Sequence, residues 1–86
     1  MKHYVYMLQS LKAKRFYIGY TTNLSRRESE HNKGNTKSTR PYTPWKLIYS
    51  EEFDDKSTAY KREWYLKHPK GYKKKLEIIQ KYGGVA

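Results

Sequence analysis

The chain has no cysteine, only three prolines and five glycines, and few acidic residues. Without cysteine it can form neither a disulfide nor a thiolate zinc site, and it cannot use a cysteine nucleophile. No segment approaches the roughly 20 apolar residues that span a bilayer. The apolar run that begins at Tyr4 has neither the length nor the cleavage site of a signal peptide. We therefore expect a cytoplasmic protein, nucleoid-associated if it is bacterial, whose fold depends on packing alone.

The composition is polar for a globular protein. Of 86 residues, 36% are hydrophobic and 31% are charged, and the mean hydropathy is -1.15. Low hydrophobicity with high net charge is typical of disordered chains, but such chains contain few aromatic residues. Here 16% of the residues are aromatic, including ten tyrosines. We therefore predict a single folded domain over residues 1–86 with a small core.

The charge is strongly one-sided. Nineteen lysines and arginines against eight acidic residues give a net charge of +11. Such an excess favours a polyanionic partner, either nucleic acid or an anionic membrane surface. The basic helical segments lack the large apolar face of a membrane-surface helix, so we expect a nucleic acid, with DNA favoured, and no membrane. A basic surface that serves only solubility is the alternative.

Hydrophobic spacing predicts three strands and three helices in the order β-β-α-β-α-α. The expected fold is of the α/β (α+β) class, a small three-stranded, largely antiparallel sheet flanked by three helices. The strands are predicted at residues 4–10, 15–20 and 45–50, and the helices at residues 24–33, 56–67 and 72–82.

Local signals give the details of these elements. Thr21, Thr22 and Asn23 are N-cap residues for the first helix, and Asp55 or Ser57 caps the second. The acidic segment 51–55 is predicted to form an exposed turn. Gly34 is predicted to end the first helix, and Gly83 and Gly84 the last helix. The last helix is predicted to have an inward stripe of Tyr72, Leu76 and Ile79. Trp45 and Trp64 are predicted in the core, with base stacking as their alternative role.

Three motifs stand in a fixed order along the chain. Tyr-x-Tyr at residues 4–6 is followed by Tyr-Ile-Gly at residues 17–19, and then by Thr-x-Asn-Leu-x-x-Arg-x-x-x-His at residues 21–31. This combination resembles the GIY-YIG nuclease domain, and in particular the small stand-alone members of that superfamily. Residues 39–49 and the helical segment 59–63 resemble it too, so the likeness covers residues 3 to 80. The glycine that opens the family's first motif is replaced by Tyr4, as is common in the small members. Larger members carry an Asn after the metal-binding Glu, but this sequence has no Asn beyond position 35, which bears on whether the site is complete.

The resemblance implies a set of roles for five residues. It implies that Glu63 binds Mg²⁺ (or Mn²⁺), that Arg27 stabilises the transition state, and that Tyr6 or Tyr17 is the general base. His31 would orient one phenol or assist proton transfer. Elementary chemistry agrees, because Arg27 and His31 are four apart and share a helix face, and a guanidinium binds two phosphate oxygens at once. The two phenols converge only if the strand register places them on one face.

Each of these residues also has a structural interpretation. Tyr6 alone is typical of a core residue, and Arg27 alone of a solvated surface. His31 alone is more often a capping or surface histidine. Glu63 lies on the predicted inward stripe of the second helix, and it could pair with a lysine across the helices instead of binding a metal.

Other basic residues are candidates for contacts to phosphates without reading of sequence. The alternative for each is a solvated face. These residues are Lys33, Lys37, Arg40, Lys73, Lys74 and Lys75.

Three functions remain open from the sequence. The first is a Mg²⁺-dependent endonuclease that hydrolyses phosphodiester bonds in DNA, selective for branched or damaged structures in repair or recombination. The second is a nucleic-acid-binding module on the same fold with weak or lost catalysis, a hypothesis that the missing late Asn favours. The third is a module that cuts only within a complex, with a protein partner supplying specificity. The sequence does not define the oligomeric state.

Overall fold

The computed structural model describes residues 1–83. The predicted order β-β-α-β-α-α is confirmed, with two short 3₁₀ turns added at Arg40–Tyr42 and Pro69–Gly71. The strands are β1 (His3–Ser10), β2 (Phe16–Thr21) and β3 (Trp45–Phe53), and the helices are α1 (Leu24–Asn32), α2 (Lys56–Lys67) and α3 (Tyr72–Tyr82).

The sheet is antiparallel throughout, in the order β2-β1-β3. As the central strand, β1 is buried on both faces. Its alternate residues Val5 and Met7 pack with α2 and α3, whereas Tyr6 and Leu8 pack on the opposite face with Trp45. The odd positions therefore build the main core, and the even positions place Tyr6 where α1 covers the sheet.

Side-chain caps fix where α1 and α2 begin. Asn23 Oδ1 accepts a hydrogen bond from the Arg26 backbone N–H at 3.0 Å. Asp55 accepts one from the Thr58 N–H at 2.8 Å, which decides between the two predicted caps of α2. Gly34 follows α1 with a φ of +77°, a conformation that favours glycine. Gly83 caps α3, and Gly84 lies outside the described residues.

The prediction of an exposed turn over the acidic segment is wrong for residues 51–53 and confirmed for residues 54–55, which form an exposed bend. β3 continues to Phe53, so Glu51 and Glu52 lie in the strand and face Val5 and Tyr4 across the ladder. The strand can accommodate Glu51 because Arg62 of α2 neutralises the carboxylate.

Two predicted core residues are exposed. Tyr72 lies on the surface, and the inward face of α3 is rotated toward Ile78, which is buried. Trp64 is 56% exposed because Ala59 and Leu66 form the inward stripe of α2. The prediction for Trp45 is confirmed, since this residue is buried. Among residues 1–83, no helix has the length and apolar character needed to cross a membrane.

Candidate active site

The strand register brings Tyr6 and Tyr17 to one face of the β1–β2 hairpin. Tyr6 lies opposite Gly19, and Tyr17 stands two residues before Gly19 on the same face, so the two rings lie 6.2 Å apart between centroids. A Cβ atom on Gly19 would lie only 2.5 Å from Tyr6 Oη. Position 19 must therefore be glycine for the Tyr6 phenol to occupy this place.

The helix α1 directs two side chains at the Tyr6 hydroxyl. Arg27 Nε donates a hydrogen bond to Tyr6 Oη at 3.3 Å, and His31 Nε2 lies 3.2 Å from the same oxygen. The four-residue spacing places both on one helix face. The His31 ring also packs against Tyr17, with centroids 4.7 Å apart. Four of the residues implied by the resemblance thus meet at one point.

The hydrogen-bond network assigns the proton positions around His31, which is fully buried. Its Nδ1 lies 2.8 Å from Thr39 Oγ1, and the Thr39 hydroxyl donates its single proton to the Thr36 carbonyl at 3.3 Å. A neutral His31 with its proton on Nδ1, where Thr39 accepts it, satisfies this network. In neutral His31 this leaves Nε2 as an acceptor for the Tyr6 hydroxyl proton.

The electrostatics of the site favour this neutral arrangement. Burial raises the pKa of Tyr6 to about 12, and the hydrogen bond from Arg27 offsets only part of that effect. Burial and then the Arg27 charge lower the pKa of His31. At neutral pH, Tyr6 is a protonated phenol and His31 is an uncharged imidazole.

Arg27 carries the positive charge of the site. Although burial opposes its charge, hydrogen bonds to Tyr6 and Glu30 raise the pKa of the guanidinium. Its Nη1 lies 3.1 Å from Glu30 Oε1, and the side chain remains 33% exposed. A permanently charged group that is held in place and still reaches solvent is suited to binding an anion.

A carboxylate approaches the phenols from α2. The Glu63 side chain is 21% exposed and pairs with Lys67 of the same helix at 3.1 Å. Its charge contributes to the raised pKa of Tyr6. Lys67 Nζ in turn lies 5.7 Å from the centre of the Tyr17 ring. Glu63 therefore borders the same site, and it pairs with a lysine on its own helix rather than across helices.

The donor set fits Mg²⁺ better than a metal that needs several protein ligands. Within residues 1–83, no three His, Asp or Glu side chains converge as a multi-ligand site would require. Mg²⁺ keeps several waters and commonly binds one or two carboxylates together with substrate phosphate. A single half-buried carboxylate, Glu63, satisfies that requirement.

The six predicted phosphate-contacting residues lie on two parts of the chain, the segment after α1 and the helix α3. Lys33, Lys37 and Arg40 are exposed in the segment after α1, and the Arg40 guanidinium donates to the Gly34 carbonyl. On α3, Lys73 is exposed, and Lys75 lines a surface groove beside Lys67. Lys74 pairs with Glu77 at 3.8 Å and helps lower the pKa of Glu51, so it lies beside the Glu51–Arg62 pair.

Three residues of the site were not predicted from the sequence: Glu30, Thr39 and Lys67. Thr39 had only its place in the family-like segment 39–49 as a signal, and its contact with His31 depends on how the loop folds back. Lys67 could have been predicted, because it stands four residues after Glu63 and such pairs meet on a helix.

Comparisons with known proteins agree with this geometry. The chain matches the GIY-YIG catalytic domain over residues 2–77. It belongs to the GIY-YIG family. The chain is 43% identical to a UPF0213 protein of Natronomonas pharaonis, over 94% of this chain and 95% of that protein. It is 40% identical to the UPF0213 protein YsiG of Lactococcus lactis, over 92% of this chain and 76% of that protein.

A solved structure shows the same fold. The NMR structure of a UPF0213 protein from Bacillus halodurans is 36% identical, with a TM-score of 0.58, and the match covers 96% of this chain and 88% of that one. The resemblance inferred from the motifs is confirmed, and the chain is a small member of a nuclease family. Nuclease domains act on nucleic acid, but the names of these relatives state no substrate.

Proposed function

We propose that this protein is an endonuclease that hydrolyses phosphodiester bonds in DNA and requires Mg²⁺ or Mn²⁺. The observation that carries the proposal is the convergence of Arg27, His31 and the two phenols at one point bordered by Glu63. In the reaction, a water oxygen attacks phosphorus and one P–O ester bond breaks, which leaves a phosphate monoester and a hydroxyl group.

Arg27 would bind the non-bridging oxygens of the scissile phosphate. Negative charge accumulates on these oxygens as water attacks, and a pre-positioned guanidinium stabilises it without reorganising. The hydrogen bond to Tyr6 and the ion pair with Glu30 hold Arg27 in that position. Tyr6 is a positioning residue in this proposal.

Tyr17 is the better candidate for the general base. Tyr6 is 2% exposed, and burial keeps the pKa of its hydroxyl at about 12. Tyr17 is half-buried and lies near the ammonium of Lys67. A base must contact the attacking water, and the more exposed phenol can do so. His31 would accept the proton of Tyr6 and pack against the Tyr17 ring, and so hold the two phenols in position.

Glu63 would hold the metal. A bound Mg²⁺ would supply a Lewis acid that stabilises charge on the phosphate and the leaving oxygen. The Lys67 ammonium, 3.1 Å from the Glu63 carboxylate, offers a second positive charge to the phosphate. Basic residues after α1 and on α3 would add contacts to the DNA backbone without reading its sequence.

Selectivity for branched or damaged DNA, a role in repair or recombination and a cytoplasmic location remain our proposals. The net charge of +11 supports the nucleic-acid substrate that the first two of these proposals require. A protein partner that supplies specificity is part of the same proposal.

A second candidate is a nucleic-acid-binding module with weak or lost catalysis, or one that cuts only within a complex. The ion pair between Glu63 and Lys67 favours it, because the carboxylate proposed to bind the metal already has a cationic partner. The sequence also has no Asn beyond position 35, so it lacks the Asn that larger members of the family carry after the metal-binding Glu, and this favours the second candidate as well.

The test is incubation of the protein with supercoiled plasmid and with branched DNA, in Mg²⁺ or in EDTA, beside the Glu63→Ala variant. We expect nicking that needs the metal and is lost in the variant. Cleavage that appears only after a partner is added would support the complex. Binding without cleavage on every substrate would contradict the nuclease proposal and favour the binding module.

A further inference from the structure

The outer side of α2 carries aromatic rings that the proposed chemistry does not use. We call Tyr60, Trp64 and His68 the aromatic stripe, because their four-residue spacing aligns them along the helix. Trp64 is 56% exposed and Tyr60 is 45% exposed. Exposed aromatic side chains aligned along one helix face are suited to an interaction site.

The rings of the stripe are held in place from one side. The Trp64 indole stacks on the His68 imidazole, with centroids 4.3 Å apart and planes within 24°. Tyr60 packs against Tyr20 at 4.5 Å. Little side-chain freedom is lost when a ligand stacks on rings that are already supported, which favours binding.

Positive charge surrounds the stripe. Lys56 Nζ lies 5.4 Å from the centre of the Tyr60 ring, and Lys61 joins Tyr60 and Trp64 in lining a shallow apolar groove. Lys67 lies one turn further along the helix. Flat apolar rings flanked by lysines match a ligand with flat bases and a negative backbone, which is a nucleic-acid strand with unpaired bases. A purely apolar protein partner would offer no counter-charge to Lys56 and Lys61.

The stripe is continuous with the candidate active site. Trp64 directly follows Glu63, whose carboxylate binds Lys67 at 3.1 Å, and Lys67 lies 5.7 Å from the Tyr17 ring centre. A strand that stacks on Trp64 is therefore bound by the same helix that carries Glu63 and Lys67.

We propose that Trp64, supported by His68, stacks on an unpaired base beside the scissile phosphate. The substrate class is then a nucleic acid that is single-stranded at the cut site. This inference rests on the proposed function for the position of the cut, but the stacking itself does not require cleavage.

The test measures binding in EDTA, where no metal-dependent cutting occurs. The probes are a short oligothymidylate and an abasic oligomer of the same length, which carries the same phosphates without bases. The variants are Trp64→Ala and Trp64→Phe, with Tyr82→Ala as a matched control, since Tyr82 is a 45% exposed aromatic residue on α3 that packs against Tyr49.

We expect Trp64→Ala to weaken oligothymidylate binding roughly 5- to 100-fold and to leave binding of the abasic oligomer unchanged. Trp64→Phe should restore much of the loss, because a phenyl ring also stacks. Tyr82→Ala should bind both probes like the parent protein. Oligothymidylate should quench the fluorescence of Trp64 whereas the abasic oligomer should not, and buried Trp45 should contribute a constant signal in both cases.

Three results would overturn the stacking proposal: no loss with Trp64→Ala, an equal loss on the abasic oligomer, or loss of a dimer of the free protein in Trp64→Ala with unchanged oligonucleotide affinity. The last result would make the stripe an interface between two copies of this chain. Base-dependent binding without metal-dependent cleavage would instead keep the stacking proposal and contradict the nuclease proposal.

Discussion

The two faces of the sheet carry similar sets of residues that differ in one respect. On the face covered by α1, Tyr6 and Arg27 meet beside Glu63. On the opposite face, Tyr49 donates a hydrogen bond to Glu51, which binds Arg62. Burial raises the pKa of both tyrosines to about 12. The difference is in what each arginine contacts.

The Arg62 guanidinium forms a two-bond ion pair with a single carboxylate. Its Nε and Nη2 donate to the two oxygens of Glu51 at 2.8 and 3.0 Å, a bidentate pair that neutralises both charges. Arg27 donates Nε to an uncharged phenol and Nη1 to the partly exposed Glu30. The first pair fastens α2 to β3. Arg27 keeps its charge available for a phosphate. Because the tyrosine pKa is raised in both clusters, a shifted pKa alone does not distinguish a functional cluster from a structural one.

The largest effect that should separate the two clusters comes from their carboxylates. We expect Glu63→Gln to lower single-turnover cleavage about 10³-fold, because a neutral amide holds Mg²⁺ poorly and metal stabilisation is worth several kcal/mol. Glu51→Gln should cleave normally but lose about 1 to 3 kcal/mol of unfolding free energy, because Arg62 loses its charged partner. Equal cleavage losses in the two variants would contradict the assignment of Glu63 to the active site and of Glu51 to a structural ion pair.

The tyrosines offer the next comparison. We expect Tyr17→Phe to lower the cleavage rate about 10²-fold or more, because general-base catalysis contributes that much. Tyr6→Phe should have a smaller effect, and Tyr49→Phe none on the rate. Single-turnover rates across pH measure this, and a greater loss for Tyr6→Phe would transfer the base to the buried phenol.

Thr39 should have a smaller effect than either tyrosine of the site. Thr39→Val removes the hydrogen bond that fixes the His31 proton on Nδ1, and we expect a loss of about tenfold, in line with one hydrogen bond. Thr39→Ser should restore the rate. A change in the pH profile of Thr39→Val, reversed in Thr39→Ser, would identify a positioning role; equal losses in both variants would indicate packing alone.

The smallest effect is on stability below neutral pH. The folded-state pKa of His31 is lower than its ordinary value of 6.5. Well above pH 6.5, His31 is neutral whether the chain is folded or unfolded. As the pH falls through the unfolded-state pKa, the unfolded chain binds the proton first and the unfolding free energy declines. Urea unfolding at several pH values should show a shallower decline for His31→Gln. An identical decline in the variant would mean that other groups cause it.

The sequence predicted the order of elements and the family because both depend on local patterns. Alternating residues gave the strands, and capping residues gave the helix starts. The convergence of Tyr6 and Tyr17 could be stated only as a condition, because it depends on the register between β1 and β2. That register, with Gly19 opposite Tyr6, is set by pairing between the strands and not by either strand's own pattern.

The failed predictions share a cause. Glu51 was predicted in a turn because it belongs to the acidic segment, yet its partner Arg62 comes from a helix whose position the local pattern does not define. Trp64 was predicted in the core from its apolar character, but Ala59 and Leu66 already fill the inward side of α2. Thr39 was missed since its partner, His31, is reached only through a folded loop. Each error concerns tertiary packing, which the local sequence pattern does not define.

The most direct test of this account compares Arg27→Ala with Arg62→Ala. Single-turnover cleavage of a branched DNA in Mg²⁺ would be measured beside the dissociation constant in EDTA. We predict that Arg27→Ala loses about 10²- to 10³-fold in cleavage, as expected for a lost transition-state donor, and binds DNA nearly as the parent does, while Arg62→Ala cleaves normally and unfolds more easily. Cleavage by Arg27→Ala at the parent rate, or an equal loss in Arg62→Ala, would contradict the assignment of the active site.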